Sequence, residues 1–278
     1  MISRLTGAIV RAFLVMVLVA MPSVILPGLN ADSKQMVALV ALFAGALTFV
    51  EYNATYPGLI EFRDAPPFNR SRFMMLFAVV FSLSLAESAR IVPSTFALFV
   101  QAVGVLIGQM LDFAYSPVRL AQLMLADGAT GEQRDALRSA AGLSYLMSLG
   151  ALGVFAVVMR AGRWPSHLTS FNVWVNLPTF DPTAGHDVID RLVRDARVNI
   201  VLGILLPFLA PVVIRLGTGG FDAGWLSAPQ PLIWTMAAWT FLPASLFMRG
   251  IAMARVADLV RQKRRAHRIA GHEALLAA

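Results

Sequence analysis

Blocks of apolar residues alternate with short polar segments along the whole chain, and this alternation is its dominant pattern. Each block is about 15 to 21 residues long, close to the length that an α-helix needs to cross about 30 Å of hydrocarbon. The pattern therefore predicts an all-α, polytopic transmembrane helical bundle, with residues 1–278 forming a single integral membrane domain. The predicted spans are residues 8–26, 36–52, 73–89, 140–159, 200–216 and 231–248.

A seventh apolar block, residues 95–111, is ambiguous because it carries Gln101 and Gln109. If all seven blocks crossed the membrane and the basic tail were cytoplasmic, the polar segment 53–72 would lie outside. That arrangement conflicts with the tendency of Lys and Arg near spans to remain on the cytoplasmic side. Six spans are therefore favoured over seven, and residues 95–111 are predicted to form an interfacial or re-entrant helix.

Smaller patterns around this block predict specific contacts. Gly104 and Gly108 have the spacing that allows two helices to approach closely. Glu87 and Arg90 lie three residues apart on one helix face and are expected to pair. Residues 116–126 are predicted to form a short amphipathic piece at the surface.

Composition agrees with a membrane protein, because 58% of the residues are hydrophobic and only 14% are charged. The net charge of +7 raises the question of nucleic acid, but the cations lie at the ends of apolar blocks and in the tail. They predict membrane topology, and we expect no nucleic-acid partner. The chain has no cysteine, which excludes disulfides, thiolate catalysis and Cys-ligated metal sites.

The basic residues at the ends of the apolar blocks predict a multi-pass membrane protein with its C-terminus in the cytoplasm. The polar loops 53–72 and 160–198 and the basic tail 249–278 are then all cytoplasmic. The tail cations expected to contact anionic lipid headgroups are Arg261, Lys263, Arg264, Arg265 and Arg268. The loop residues predicted to contact a partner protein are Glu61, Arg63, Asp64, Arg70, Phe171 and Trp174.

The second cytoplasmic loop contains two candidate elements. Alternating β-branched and aromatic residues over 171–177 are compatible with a short strand. Residues 186–198 predict an amphipathic helix whose apolar face holds Val188, Ile189, Leu192 and Val193. Its polar face is expected to form three i, i+4 pairs: Asp187 with Arg191, Asp190 with Arg194, and Arg191 with Asp195.

No catalytic signature is found in the sequence, and no cofactor is expected. A divalent metal could in principle be held by the carboxylates and imidazole of Asp181, His186, Asp187 and Asp190. Their spacing matches no familiar site, however. Helix capping by Asp181 and Asp187, with salt pairing along a solvated face, is the favoured interpretation.

Four segments, residues 51–58, 62–70, 171–183 and 241–250, resemble parts of uncharacterised inner-membrane proteins of Rhodobacter-like alphaproteobacteria. The similarity extends along most of the chain. It implies a bacterial inner-membrane setting, and it brings no activity, cofactor or functional residue.

The leading functional hypothesis is a non-enzymatic docking or assembly subunit of a membrane complex, which uses its cytoplasmic loops to bind a membrane-protein partner or a second copy. A small-solute transporter is the first alternative, although no ionisable residue is predicted at the centre of a span. A membrane enzyme that acts on lipid phosphates is the second alternative.

Overall fold

The computed structural model describes residues 2–28, 30–63, 66–161, 164, 176–178, 180, 187–217 and 226–277. These residues include eight α-helices and the 3₁₀ turn Gln122–Met124, and no strand occurs among them. The helices are α1 (Ile2–Ile25), α2 (Ala31–Asn53), α3 (Pro66–Ser88), α4 (Thr95–Met110), α5 (Pro117–Ala121), α6 (Gly131–Ala161), α7 (Val188–Gly217) and α8 (Pro229–Ala277).

Six of these helices, α1, α2, α3, α6, α7 and α8, are long and apolar enough to cross a membrane. They correspond to the six predicted spans and confirm the predicted all-α bundle. Helix α4 has 16 residues and is therefore about 24 Å long, which is less than the thickness of the hydrocarbon.

Two ion pairs, one just before α4 and one just after it, both join the chain to the start of α6. Before α4, Arg90 lies 3.7 Å from Glu132, and after α4, Asp112 lies 3.6 Å from Arg138. Glu132 and Arg138 are six residues apart on α6, or about 9 Å along its axis. Both ends of helix α4 therefore lie close to the start of α6, and α4 packs against α6.

Glycine allows α4 to pack closely against α6, as predicted. A Cβ atom built on Gly108 would lie 2.8 Å from the carbonyl oxygen of Arg138, and one on Gly142 would lie 2.5 Å from the Cα of Gly108. Gly104 lies over Ser139 and Leu143 of the same helix. The predicted pair is also present, since the Arg90 Nε is 3.7 Å from the Glu87 carboxylate.

The helices enclose two hydrophobic clusters, one towards each end of the bundle. The first joins α4, α5 and the start of α6 to the start of α8, and includes Leu137 and Ile233. The second joins the start of α3, the end of α6, the start of α7 and the middle of α8, and includes Phe155 and Met253. We call the end with α4 and α5 the far end, and the opposite end the basic end.

Several helices are longer than their predicted spans because no residue interrupts the helical pattern at the predicted boundary. The helix predicted at 186–198 and the span predicted at 200–216 were expected to be separate, but from Val188 onward they form the single helix α7. The tail likewise continues α8 without a break to Ala277.

Helix α7 contains Pro207 and Pro211, and a side chain from α8 compensates for one of them. Because Pro211 has no N–H, it leaves the carbonyl oxygen of Pro207 without its intrahelical partner. The Trp239 indole N–H donates to that oxygen at 3.1 Å. Trp239 is 5% exposed. It is therefore a buried hydrogen-bond donor within the bundle.

A candidate docking surface at the basic end

The loop after α2 is held in place by the last acidic residue of that helix. One carboxylate oxygen of Glu51 accepts hydrogen bonds from the backbone N–H groups of Gly58, Leu59 and Ile60, at 3.0, 2.8 and 3.1 Å. Three amides that converge on a carboxylate fix the course of a loop. Glu51 therefore has a structural role.

The two loops and the tail meet at the basic end. Glu61 accepts two hydrogen bonds from the Arg249 guanidinium of α8, at 2.5 and 2.8 Å. The Phe62 N–H donates to the Asn176 carbonyl oxygen at 2.7 Å. The N-terminal segment joins them, because Arg4 and Arg63 both donate to the Ala54 carbonyl oxygen.

Phe62 is the buried residue at the point where these segments meet, and no role was predicted for it from the sequence. It has a positive φ of 51° and is completely buried. Its ring centroid lies 4.5 Å from that of Phe68 and 6.0 Å from that of Trp164. A buried aromatic residue with left-handed backbone geometry indicates that tertiary packing determines the conformation of the loop.

The predicted partner-contact residues fall into three groups. Glu61 and Arg63 form hydrogen bonds within the protein, so their polar atoms are already engaged. Arg70 is exposed. The remaining three candidates, Asp64, Phe171 and Trp174, lie outside the described residues, as does most of the candidate strand at 171–177.

Helices α7 and α8 form a packed hairpin at the basic end. The predicted apolar face of α7 is confirmed, because Ile189 and Leu192 are buried against α8. On α8 the contacting residues include Met253 and Val256, which are fully buried. A Cβ atom on Gly250 would lie 2.8 Å from the Ala196 carbonyl oxygen, so glycine is needed for this close approach.

Asp187 joins the start of α7 to the tail. It caps α7 by accepting a hydrogen bond from the Ile189 N–H at 3.0 Å, as predicted. Both of its oxygens also accept from Arg264, at 2.9 and 2.8 Å. The hydrogen bond from Arg264, followed by that from Ile189, lowers the pKa of the Asp187 carboxyl.

Among the described residues the predicted i, i+4 salt pairs along α7 do not occur, and most of their members have other contacts. Asp187 pairs with Arg264. The guanidinium of Arg191 lies over the Phe180 ring, at 4.7 Å from its centroid. Arg194 lies 3.5 Å from the neighbouring Asp195.

The metal candidates are only partly described. Asp181 and His186 lie outside the described residues, Asp187 is engaged by Arg264, and Asp190 is exposed. Among the residues that the structure describes, no group of three His, Cys, Asp or Glu side chains could hold a metal ion.

The tail carries four arginines along one face of α8. We call them the arginine stripe, and they are Arg261, Arg264, Arg265 and Arg268. With Asp187 and Ile189 they line a groove of about 550 Å³. Two members of the stripe, Arg265 and Arg268, are exposed and form no ion pair with any described residue. Lys263 points to the opposite side of the helix, because residues 263 and 265 are separated by about 200°.

The arginine stripe stands well beyond the predicted span. Arg264 lies 16 residues after Met248, where the predicted span ends, and this corresponds to about 24 Å along the helix. The headgroup layer adds only about 5 to 8 Å on each side of the hydrocarbon. The exposed guanidinium groups of Arg265 and Arg268 at this height can bind carboxylates or phosphates of another molecule.

A polar cluster at the far end is compact and internally paired. Asp112 accepts from the Arg119 Nε at 2.8 Å and from the Gln122 side chain at 3.3 Å. Burial alone raises the pKa of the Asp112 carboxyl, but the hydrogen bond and charge of Arg119 outweigh it, with help from Gln122 and Arg138. The pKa is therefore lowered.

In comparisons with known proteins, the chain matches no family model, no curated protein and no solved structure.

Proposed function

We propose that this protein is a non-enzymatic docking or assembly subunit of a bacterial inner-membrane complex, and that its basic end binds an acidic partner protein in the cytoplasm. The arginine stripe at the end of the α7–α8 hairpin is the observation that carries the proposal. Charge complementarity with an acidic partner favours a fast and specific encounter.

The construction of the basic end supports a binding role. The Glu61–Arg249 and Asp187–Arg264 pairs tie two separate segments to α8. The hairpin has a buried apolar seam, so the exposed arginines stand on a rigid support. A rigid support reduces the entropy lost on binding.

The cytoplasmic placement of this end rests on its many arginines, through the tendency of basic residues to stay inside. The height of the stripe favours a protein partner over lipid headgroups. Contact between the tail cations and anionic headgroups is the competing proposal for the same residues.

The test is affinity purification of the tagged protein from its native membranes in a mild detergent, followed by mass spectrometry of proteins bound at near-equal amounts. The wild type is compared with Arg265→Glu and with the control Lys263→Glu. Both substitutions change the charge equally, but only the first lies on the arginine stripe.

We expect one acidic protein to be recovered with the wild type and with Lys263→Glu. Arg265→Glu should reduce its recovery at least about tenfold, because like charges across an interface cost several kcal/mol. Equal recovery with both variants would favour the headgroup proposal. A wild-type protein free of partners would contradict the docking function and direct attention to transport and then to lipid-phosphate chemistry.

A further inference from the structure

Arg72 extends into the bundle between two aromatic rings. Its guanidinium carbon lies 5.1 Å from the ring centroid of Phe68 and 5.5 Å from that of Phe241. From the sequence, Arg72 was expected in the polar loop 53–72, before the third span. The structure instead includes it in α3, within the segment Pro67–Ser88 that is apolar enough to cross a membrane.

The guanidinium of Arg72 has no anionic partner among the described residues. Its Nε is buried and forms no hydrogen bond. The nearby carboxylate, Glu61, is held by Arg249 through two hydrogen bonds. Contact with two aromatic faces offsets only about 1 to 2 kcal/mol per ring, much less than the cost of an unpaired charge in hydrocarbon.

The surroundings of Arg72 carry an excess of positive charge. Tyr52 lies within electrostatic range of Arg72 and also of Arg11 and Arg63. The other carboxylate of this region, Glu51, is engaged by three backbone amides. An anion supplied from outside the chain would therefore be attracted to Arg72.

The predicted spans place Arg72 at the basic end of the bundle, because residue 72 immediately precedes the span 73–89. Phe241 lies seven residues before Met248, so the aromatic sandwich is about 10 Å inside the predicted end of the α8 span. Because Phe68 precedes Arg72 by one helical turn, the side chain runs back towards the basic end. Its terminal nitrogens thus point towards the layer that contains the phosphates.

We propose that Arg72 binds the phosphate of a phospholipid held at the basic end. The planar guanidinium can donate two parallel hydrogen bonds to phosphate oxygens. Helix α2 packs mainly against α1, whereas α3 packs against α1, α4, α6 and α8. This site is independent of the proposed docking function.

The test measures thermal unfolding of the purified, delipidated protein with three probes. These are phosphatidylglycerol, a diacylglycerol with the same acyl chains, and inorganic phosphate. We expect phosphatidylglycerol to raise the Tm and the diacylglycerol to have little effect. Arg72→Gln should weaken the apparent affinity for phosphatidylglycerol about tenfold, whereas Arg197→Gln, an exposed arginine of α7, should leave it unchanged.

Arg72→Lys provides a second variant that retains the charge and is expected to fold. It loses the bidentate geometry, so its apparent affinity should fall between those of the wild type and Arg72→Gln. Equal lipid responses in the wild type and both Arg72 variants would overturn the proposal. A Tm increase with inorganic phosphate as large as that with phosphatidylglycerol would overturn the lipid as the source of the phosphate.

Discussion

The charged residues of this protein that lie near the membrane serve mainly to hold segments together. Glu51 fixes a loop through three backbone amides, and Glu61 fastens the same loop to Arg249. Asp187 joins α7 to the tail. Each carboxylate has strong hydrogen-bond donors, which offset the cost of its partial desolvation.

Asp112 makes a pH-dependent prediction at this scale. Its pKa is lowered in the folded protein, so it stabilises the fold above the ordinary Asp pKa of about 3.9, and this contribution is lost as the pH falls through the lowered value. We expect the Tm difference between the wild type and Asp112→Asn to be constant above about pH 5 and to shrink below about pH 4. Thermal unfolding in detergent across this range measures it.

Glu132→Gln is the control for that experiment, because the Glu132 side chain is 84% exposed. Its Tm difference from the wild type should stay small throughout. A difference for Asp112→Asn that grows on acidification would contradict the role assigned to the cluster.

Single side chains mark the limit of what the sequence can predict. The roles of Glu61, Phe62 and Arg72 depend on partners distant in the sequence, such as Arg249 and Phe241. Local patterns carry no information on such pairs. The Asp187 cap was predictable because it depends on a residue two positions away.

At the scale of helices, glycine determines how closely α4 can approach α6. We predict that Gly142→Ala destabilises the protein by about 1 to 3 kcal/mol, because the added methyl group would overlap the Gly108 backbone. Gly150→Ala is the matched control on the same helix, since nothing lies within 4 Å of its Cβ position. It should be neutral or stabilising by up to about 1 kcal/mol.

The free energy of unfolding in mixed detergent micelles measures both variants. Equal free energies of unfolding for Gly142→Ala and Gly150→Ala would contradict the close packing of α4 against α6 at Gly142.

Helix existence and close glycine contacts were predictable because they depend on local composition and spacing. The six long helices and the contact at Gly104 and Gly108 follow from such patterns. Helix ends were less predictable. The charged segment at the start of α7 has the sequence pattern of a separate surface helix. In the structure its apolar face is buried against Val256 and Ala257 of α8.

For the whole molecule, the main result is the separation of a far end, with α4 folded back on α6, from a basic end that contains both loops and the tail. The ion pairs of Arg90 and Asp112 with α6 place α4 across one end of the bundle. The Glu61–Arg249 pair places the first loop beside the tail.

Because the chain has no cysteine, cysteine accessibility is the most direct test of this account. Single-cysteine variants Arg70→Cys, Asp127→Cys and Arg265→Cys would be treated with a membrane-impermeant maleimide, in intact and in permeabilised cells. We predict that positions 70 and 265 react only after permeabilisation, whereas position 127 reacts in intact cells. Reaction of positions 70 and 265 from opposite sides of the membrane would contradict both the six-span bundle and the single docking face.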